Sequence, residues 1–96
     1  MITKEQLLAT TTKIINIEKL GEVKIRKLKV GEINSASREK SLQKQGIILI
    51  SLSLVDPQLS VNEANELPTD IALRLQDEIL DFNGMSEKSA NEIEKN

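Results

Sequence analysis

The sequence contains no cysteine, histidine, tryptophan or tyrosine, and its single aromatic residue is Phe82. Without cysteine there can be no disulfide, no thiolate nucleophile and no thiolate metal ligand. Without histidine there is no side chain whose ordinary titration lies near neutral pH, which removes the commonest general acid or base. The four glycines, at 21, 31, 46 and 84, are too far apart for a phosphate-cradling loop. No apolar run is long enough for a membrane-spanning helix, and the first residues do not resemble a signal peptide. Together with the missing cysteines, this gives the expectation of a reducing cytoplasm. What remains is 39% hydrophobic and 29% charged over 96 residues, a globular composition that builds its core from aliphatic side chains. One domain of that length buries only about two thirds of its unfolded surface.

Charge is unevenly placed. Residues 1–48 hold ten Lys or Arg against five Glu, and residues 49–96 hold three against ten Asp or Glu, so the halves carry +5 and −7. A bipolar domain can stack head to tail with its own copies. The simpler reading is that the two halves neutralise each other within a monomer.

Residues 67–85, LPTDIALRLQDEILDFNGM, carry the most consistent local signals. Pro68 suits a first helical position and Gly84 suits a left-handed stop. At 100° per residue, Ile71, Ala72, Leu75, Ile79 and Phe82 share one sector and predict the core-facing side. Asp70, Arg74, Asp77, Glu78 and Asp81 gather opposite, with Arg74 and Glu78 at the i,i+4 spacing of a solvated pair. Leu73 and Leu80 form a second apolar ridge. It is either the seat of another helix of the same domain, from 47–55, or a surface for a partner's helix. These two leucines are the candidate binding residues.

Thr3 and Gln6 have capping-box spacing, which predicts a short helix over residues 4–9 anchored by Leu7 and Leu8. The run KIINIEKLGEVKIRKLKV predicts a β-hairpin, with Ile15 and Ile17 sharing one face of the first run, Val23 and Ile25 one face of the second, and Gly21 in the turn. After Lys27 the alternation changes phase, as at a bulge or a strand end. Residues 31–46 are polar, with Gly31 and Gly46 as boundaries of a surface helix or loop. The stretch IILISLSLVDPQLS alternates like a strand but is also what a fully buried helix looks like. Asp56 and Pro57 end it, and Ser60 with Glu63 repeats the capping-box spacing for a short helix ending near Leu67. Residues 1–86 are thus expected as one compact domain and 87–96 as a flexible polar tail.

The residues bear on three chemistries. Asp77 and Asp81 are one turn apart and, with Asp70, could contribute carboxylate oxygens to a hard cation such as Mg²⁺, but a charged helix face produces the same spacing. Lys19, Lys24, Arg26, Lys27 and Lys29 make the hairpin, 19–29, basic enough to attract phosphate, yet no aromatic accompanies them and the chain is acidic overall. The lysines suffice as guards of an exposed sheet edge. Nothing pairs a serine with a buried lysine. The expectation is a non-enzymatic protein with no cofactor and no metal.

In order, a hairpin IEKLGEVKIRKLKVGE, an apolar run closing in LVDPQLS, a short acidic stretch and the helix LPTDIALRLQDEILDFNGM resemble the small tail assembly chaperones of long-tailed bacteriophages and prophages. The likeness spans residues 13–86. It implies a mainly α protein with a small N-terminal β-hairpin (α+β), and a helix at 47–55. It further implies a role in keeping the tape measure protein soluble, as a homo-oligomer coating it, and in assisting tail tube protein assembly before leaving the mature virion. A small regulatory or nucleic-acid-associated protein using the basic hairpin is the alternative.

Overall fold

The computed structural model describes residues 1–85 and builds them into five helices and three strands. The tail expected at 87–96 lies outside the described residues. In chain order the elements are α1 (Lys4–Leu8), β1 (Thr12–Ile17), β2 (Gly21–Arg26), α2 (Val30–Ser37), α3 (Leu42–Ser53), β3 (Leu54–Asp56), α4 (Val61–Ala64) and α5 (Thr69–Phe82). The domain is α+β, mainly helical with a small antiparallel sheet. No helix among the described residues is long and apolar enough to cross a membrane.

The hairpin forms, with Ile15 opposite Val23 and Ile17 opposite Gly21. Gly21 is the first residue of β2 and not part of the turn, although it takes φ +127°; the turn is residues 18–20, where Lys19 takes φ +73°, a left-handed position that non-glycine side chains seldom occupy. The alternation change after Lys27 is a strand end. Leu28 turns inward, and its N–H donates to Asn83 Oδ1 at 2.8 Å. Asn83 Nδ2 donates in turn to the Ile79 carbonyl at 2.7 Å. One amide therefore ties the exit of β2 to the last turn of α5.

Two sequence expectations are corrected in the middle of the chain. Gly46 is not a boundary: it lies inside α3, which begins at Leu42 behind the Ser41 cap and runs to Ser53. The two-stranded hairpin is also incomplete, because Leu54–Asp56 joins it as a third strand in the order β1-β2-β3. Ile25 pairs with Leu54 and Lys24 with Asp56, so the register slips by one residue at Val55. The serines that made this run alternate like a strand are tethers. Ser51 donates to the Leu59 carbonyl at 2.8 Å, and Ser53, wholly buried, donates to the Arg26 carbonyl at 2.9 Å. The helix is apolar nearly all round because α2, α4 and α5 pack on different sides of it.

α5 behaves as its period predicts, with Ala72, Leu75 and Ile79 buried and Ile71 and Phe82 packed at the margin. Pro68 occupies the cap rather than the first helical position, a shift of one residue that leaves its missing N–H equally harmless. At the other end Met85 N–H donates to the Leu80 carbonyl at 2.7 Å and Gly84 N–H to Asp81 at 3.1 Å. With Gly84 at φ +72°, that is a Schellman stop, and it brings Met85 back beside Leu80. Both capping boxes form, at Thr3 with Gln6 and at Ser60 with Glu63. Leu7 and Leu8, however, anchor nothing: they are 67% and 69% exposed, and α1 buries no residue. Two leucines on a single helical turn face different ways, and no neighbouring element covers either side.

Sheet, α3, α4 and α5 meet in one aliphatic core that includes Ile15, Ile25, Ile50, Leu54 and Ile79. Ile50 is fully buried, so Ile50→Ala is expected to cost about 2–5 kcal/mol in urea unfolding. Leu73→Ala, on the exposed side of α5, should stay within about 0.5 kcal/mol of the parent.

Candidate binding groove

The structure separates the two candidate ridge residues. Leu73 is 56% exposed, whereas Leu80 is half-buried in an apolar groove between α2, α3 and α5. Ile33 and Ala36 line one wall, Leu42 and Leu49 the second, and Leu80 with Met85 the third. The volume of the groove is about 220 Å³, too small for a folded ligand but wide enough for one or two apolar side chains. Leu80 is there because α2 and α3 reach the C-terminal half of α5. Leu73, two turns earlier, lies beyond them.

Gly46 and Gln76 meet on the groove's lining. A Cβ built on it would stand 2.5 Å from Nε2 and 3.0 Å from Oε1 of Gln76. The Gln76 amide thus lies against the α3 backbone in the space a side chain on residue 46 would take, so any such side chain has to displace that amide. Leu42, Gly46 and Leu49 follow at i, i+4 and i+7, the spacing of a helix face. That signal was readable once the helix is started at Ser41. The contribution of Met85 was readable as well, since the residue after a Schellman glycine commonly packs back on the helix three residues before the cap.

The basic hairpin is largely committed to its own domain. Arg26 forms two hydrogen bonds with Glu32, at 2.9 Å through Nη1 and 2.5 Å through Nη2. Glu32 also accepts the Lys29 N–H at 2.8 Å, so it closes the N-terminus of α2 and clamps β2 to it. The Arg26 guanidinium holds the Glu32 carboxyl down to about 2, and the carboxylate raises Arg26 in return. Lys27 and Lys13 lie over the Phe82 ring at 5.4 and 5.9 Å, and Lys13 also meets Glu78 at 3.3 Å. Lys19, at the turn, and Lys29 are exposed.

On α5, Arg74 pairs with Glu78 at 3.6 Å, as its spacing predicts, and donates to the Asn16 carbonyl on β1 at 3.1 Å. Asp70, Asp77 and Asp81 lie on the exposed side. Among the described residues no three Asp, Glu, His or Cys side chains are grouped in a way that could hold a metal ion. Comparison with known proteins adds no neighbour: no family model, curated protein or solved structure matches this chain.

Two measurements check this geometry. Because the Glu32 carboxyl is depressed, its stabilising share is complete above its ordinary value of 4.5 and disappears as pH falls towards 2. Glu32→Gln should therefore flatten the acid limb of the stability profile while changing it little in shape above pH 5. Gly46→Ala should recover less than the roughly 1 kcal/mol of helix propensity that alanine holds over glycine, because Gln76 is displaced. Adding Gln76→Ala should restore that gain, and a double-mutant cycle reads the coupling.

Proposed function

We propose that this protein is a non-enzymatic assembly chaperone that covers apolar helical segments of a long client chain. The client is a tape measure protein of a phage or prophage tail, and the work is done in the bacterial cytoplasm before the tail tube protein polymerises around it. The observation that carries the reading is the open apolar groove ending in Leu80 and Met85. Such a groove accepts the anchors of an amphipathic helix, the mode in which helical segments are commonly held. The order of elements, a basic β unit, a buried central helix and a capped amphipathic helix, supports it through the resemblance already described.

Magnitudes fit a transient role. Covering about 300 Å² of client surface at about 25 cal/mol per Å² is worth some 7 kcal/mol, comparable to the entropic cost of association. A single contact is therefore weak, and retention of the client requires several copies acting along one chain. Weak contacts of this kind are displaced when the tube subunits bind.

Co-expression with a tape-measure-type polypeptide tests the proposal. The client should remain in the soluble fraction with the parent protein and with Asp70→Asn, and should precipitate with Leu80→Glu, whose fold is checked by circular dichroism. Equal precipitation with and without the protein would refute it. Salt separates this reading from phosphate binding by the hairpin: capture of the client should survive high NaCl and strengthen in sulfate, whereas a nucleic-acid complex would weaken steeply.

A further inference from the structure

We infer that Asn83 is a site of spontaneous covalent modification, held off by the fold and released only when the last turn of α5 opens. Asn83 is the one asparagine of the chain that a glycine follows. Glycine has no side chain to shield its backbone nitrogen, so in an open chain the Gly84 nitrogen can attack the Asn83 side-chain amide. The bond from Gly84 N to Asn83 Cγ forms, the Cγ–Nδ2 bond breaks, and ammonia leaves with the proton of the Gly84 amide. Water then opens the cyclic imide at either carbonyl, giving aspartate or isoaspartate. The sum is one water consumed and one ammonia released, with no oxidant and no cofactor.

The structure keeps each reacting group off that path. Asn83 stands at φ −92° and ψ 5°. Ring closure needs the Gly84 nitrogen to eclipse Cβ of Asn83, roughly a third of a rotation away about the Cα–C bond. The side-chain amide is tied at both ends, Oδ1 accepting from the Leu28 N–H at 2.8 Å and Nδ2 donating to the Ile79 carbonyl at 2.7 Å. The nucleophile is engaged as well, since the Gly84 N–H donates to the Asp81 carbonyl at 3.1 Å. These restraints sit near solvent: Asn83 is half-buried, Gly84 is exposed, and a Cβ on Gly84 would meet nothing within 4 Å. Water and space are therefore at hand once the turn opens, and a helix end opens more readily than its middle.

The product does not fit the place it came from. An aspartate at 83 can still accept the Leu28 N–H, but it has lost the donor to Ile79 and sets a carboxylate oxygen against that carbonyl. Isoaspartate goes further, because its main chain runs through Cβ and is longer by one carbon. The Schellman stop that returns the Met85 N–H to the Leu80 carbonyl then cannot close. Met85 leaves the rim of the groove, and the exit of β2 is unfastened from α5. Opening permits the reaction and the reaction prevents closing, so the change runs one way. None of this depends on whether the groove receives a client.

Incubation of the full chain at mildly alkaline pH, followed by peptide mapping, tests the inference. The peptide holding Asn83 should gain the mass and negative charge of deamidation at least about ten-fold more slowly in the folded parent than in the same chain unfolded in urea. Hydrogen exchange measures the opening independently. The slowing should be no smaller than the protection of the Leu28 amide, because Asn83 Oδ1 is its acceptor and both processes need that bond broken. Met85→Pro, which removes the N–H that closes the stop, should speed the folded chain several-fold and leave the unfolded rate unchanged. The modified chain, separated by charge, and Asn83→Asp should both unfold at lower urea concentration than the parent. Equal rates in folded and unfolded chains, or a slowing smaller than the Leu28 protection, overturns the inference without need of any variant. A folded Met85→Pro chain as slow as the parent overturns the assignment of the opening to the last turn, and an Asn83→Asp chain as stable as the parent overturns the one-way coupling.

Discussion

Three isoleucines, Ile25 from the sheet, Ile50 from α3 and Ile79 from α5, meet in the centre of the protein with at most 1% of their surface exposed. With one aromatic in the chain, no large ring is available to fill a gap between layers, so branched aliphatics must interdigitate at short range. That demand brings the layers close together, and much of the rest follows. α3 can lie deep only because its serines find carbonyl partners at Leu59 and Arg26, and because Gly46 lets Gln76 come against its backbone.

The same closeness produces the groove. α3 and α5 meet at Gly46 and Gln76, α2 packs on α3, and the three helices leave between them a groove that is mainly apolar, with Ser37, Gln45 and Gln76 as its polar lining. The Schellman stop of α5 then returns Met85 to its rim. A hydrophobic surface of this kind costs solubility when bare.

Electrostatics holds the outer parts together more than it marks a ligand. Lys13 with Glu78 joins the basic half of the chain to the acidic half, and Arg26 with Glu32 closes β2 onto α2 within the basic half. Phe82, the one aromatic, is half-buried beneath two lysine ammoniums instead of lying at the centre of the core. Its face is therefore used for cation attraction, and the hairpin's positive charge is partly taken up inside the fold.

Local sequence by itself determined α5, the hairpin and the two capping boxes. In each, the pattern and its terminators act within one or two turns: Ala72, Leu75 and Ile79 at helical spacing, Gly84 as the stop, Ile15 and Ile17 in alternation, Thr3 with Gln6. Only the tertiary structure decided residues 42–56. Period-2 alternation at Ile48, Ile50, Leu52 and Leu54 is compatible with a strand or a helix buried on several sides, and the choice rests on what packs around it. The structure makes most of the run a helix and spends its last residues on a third strand. It likewise decided that Leu80 lines a groove while Leu73 faces solvent, although both lie on one ridge. Periodicity records which residues share a helix face; whether that face is covered depends on where two other helices end.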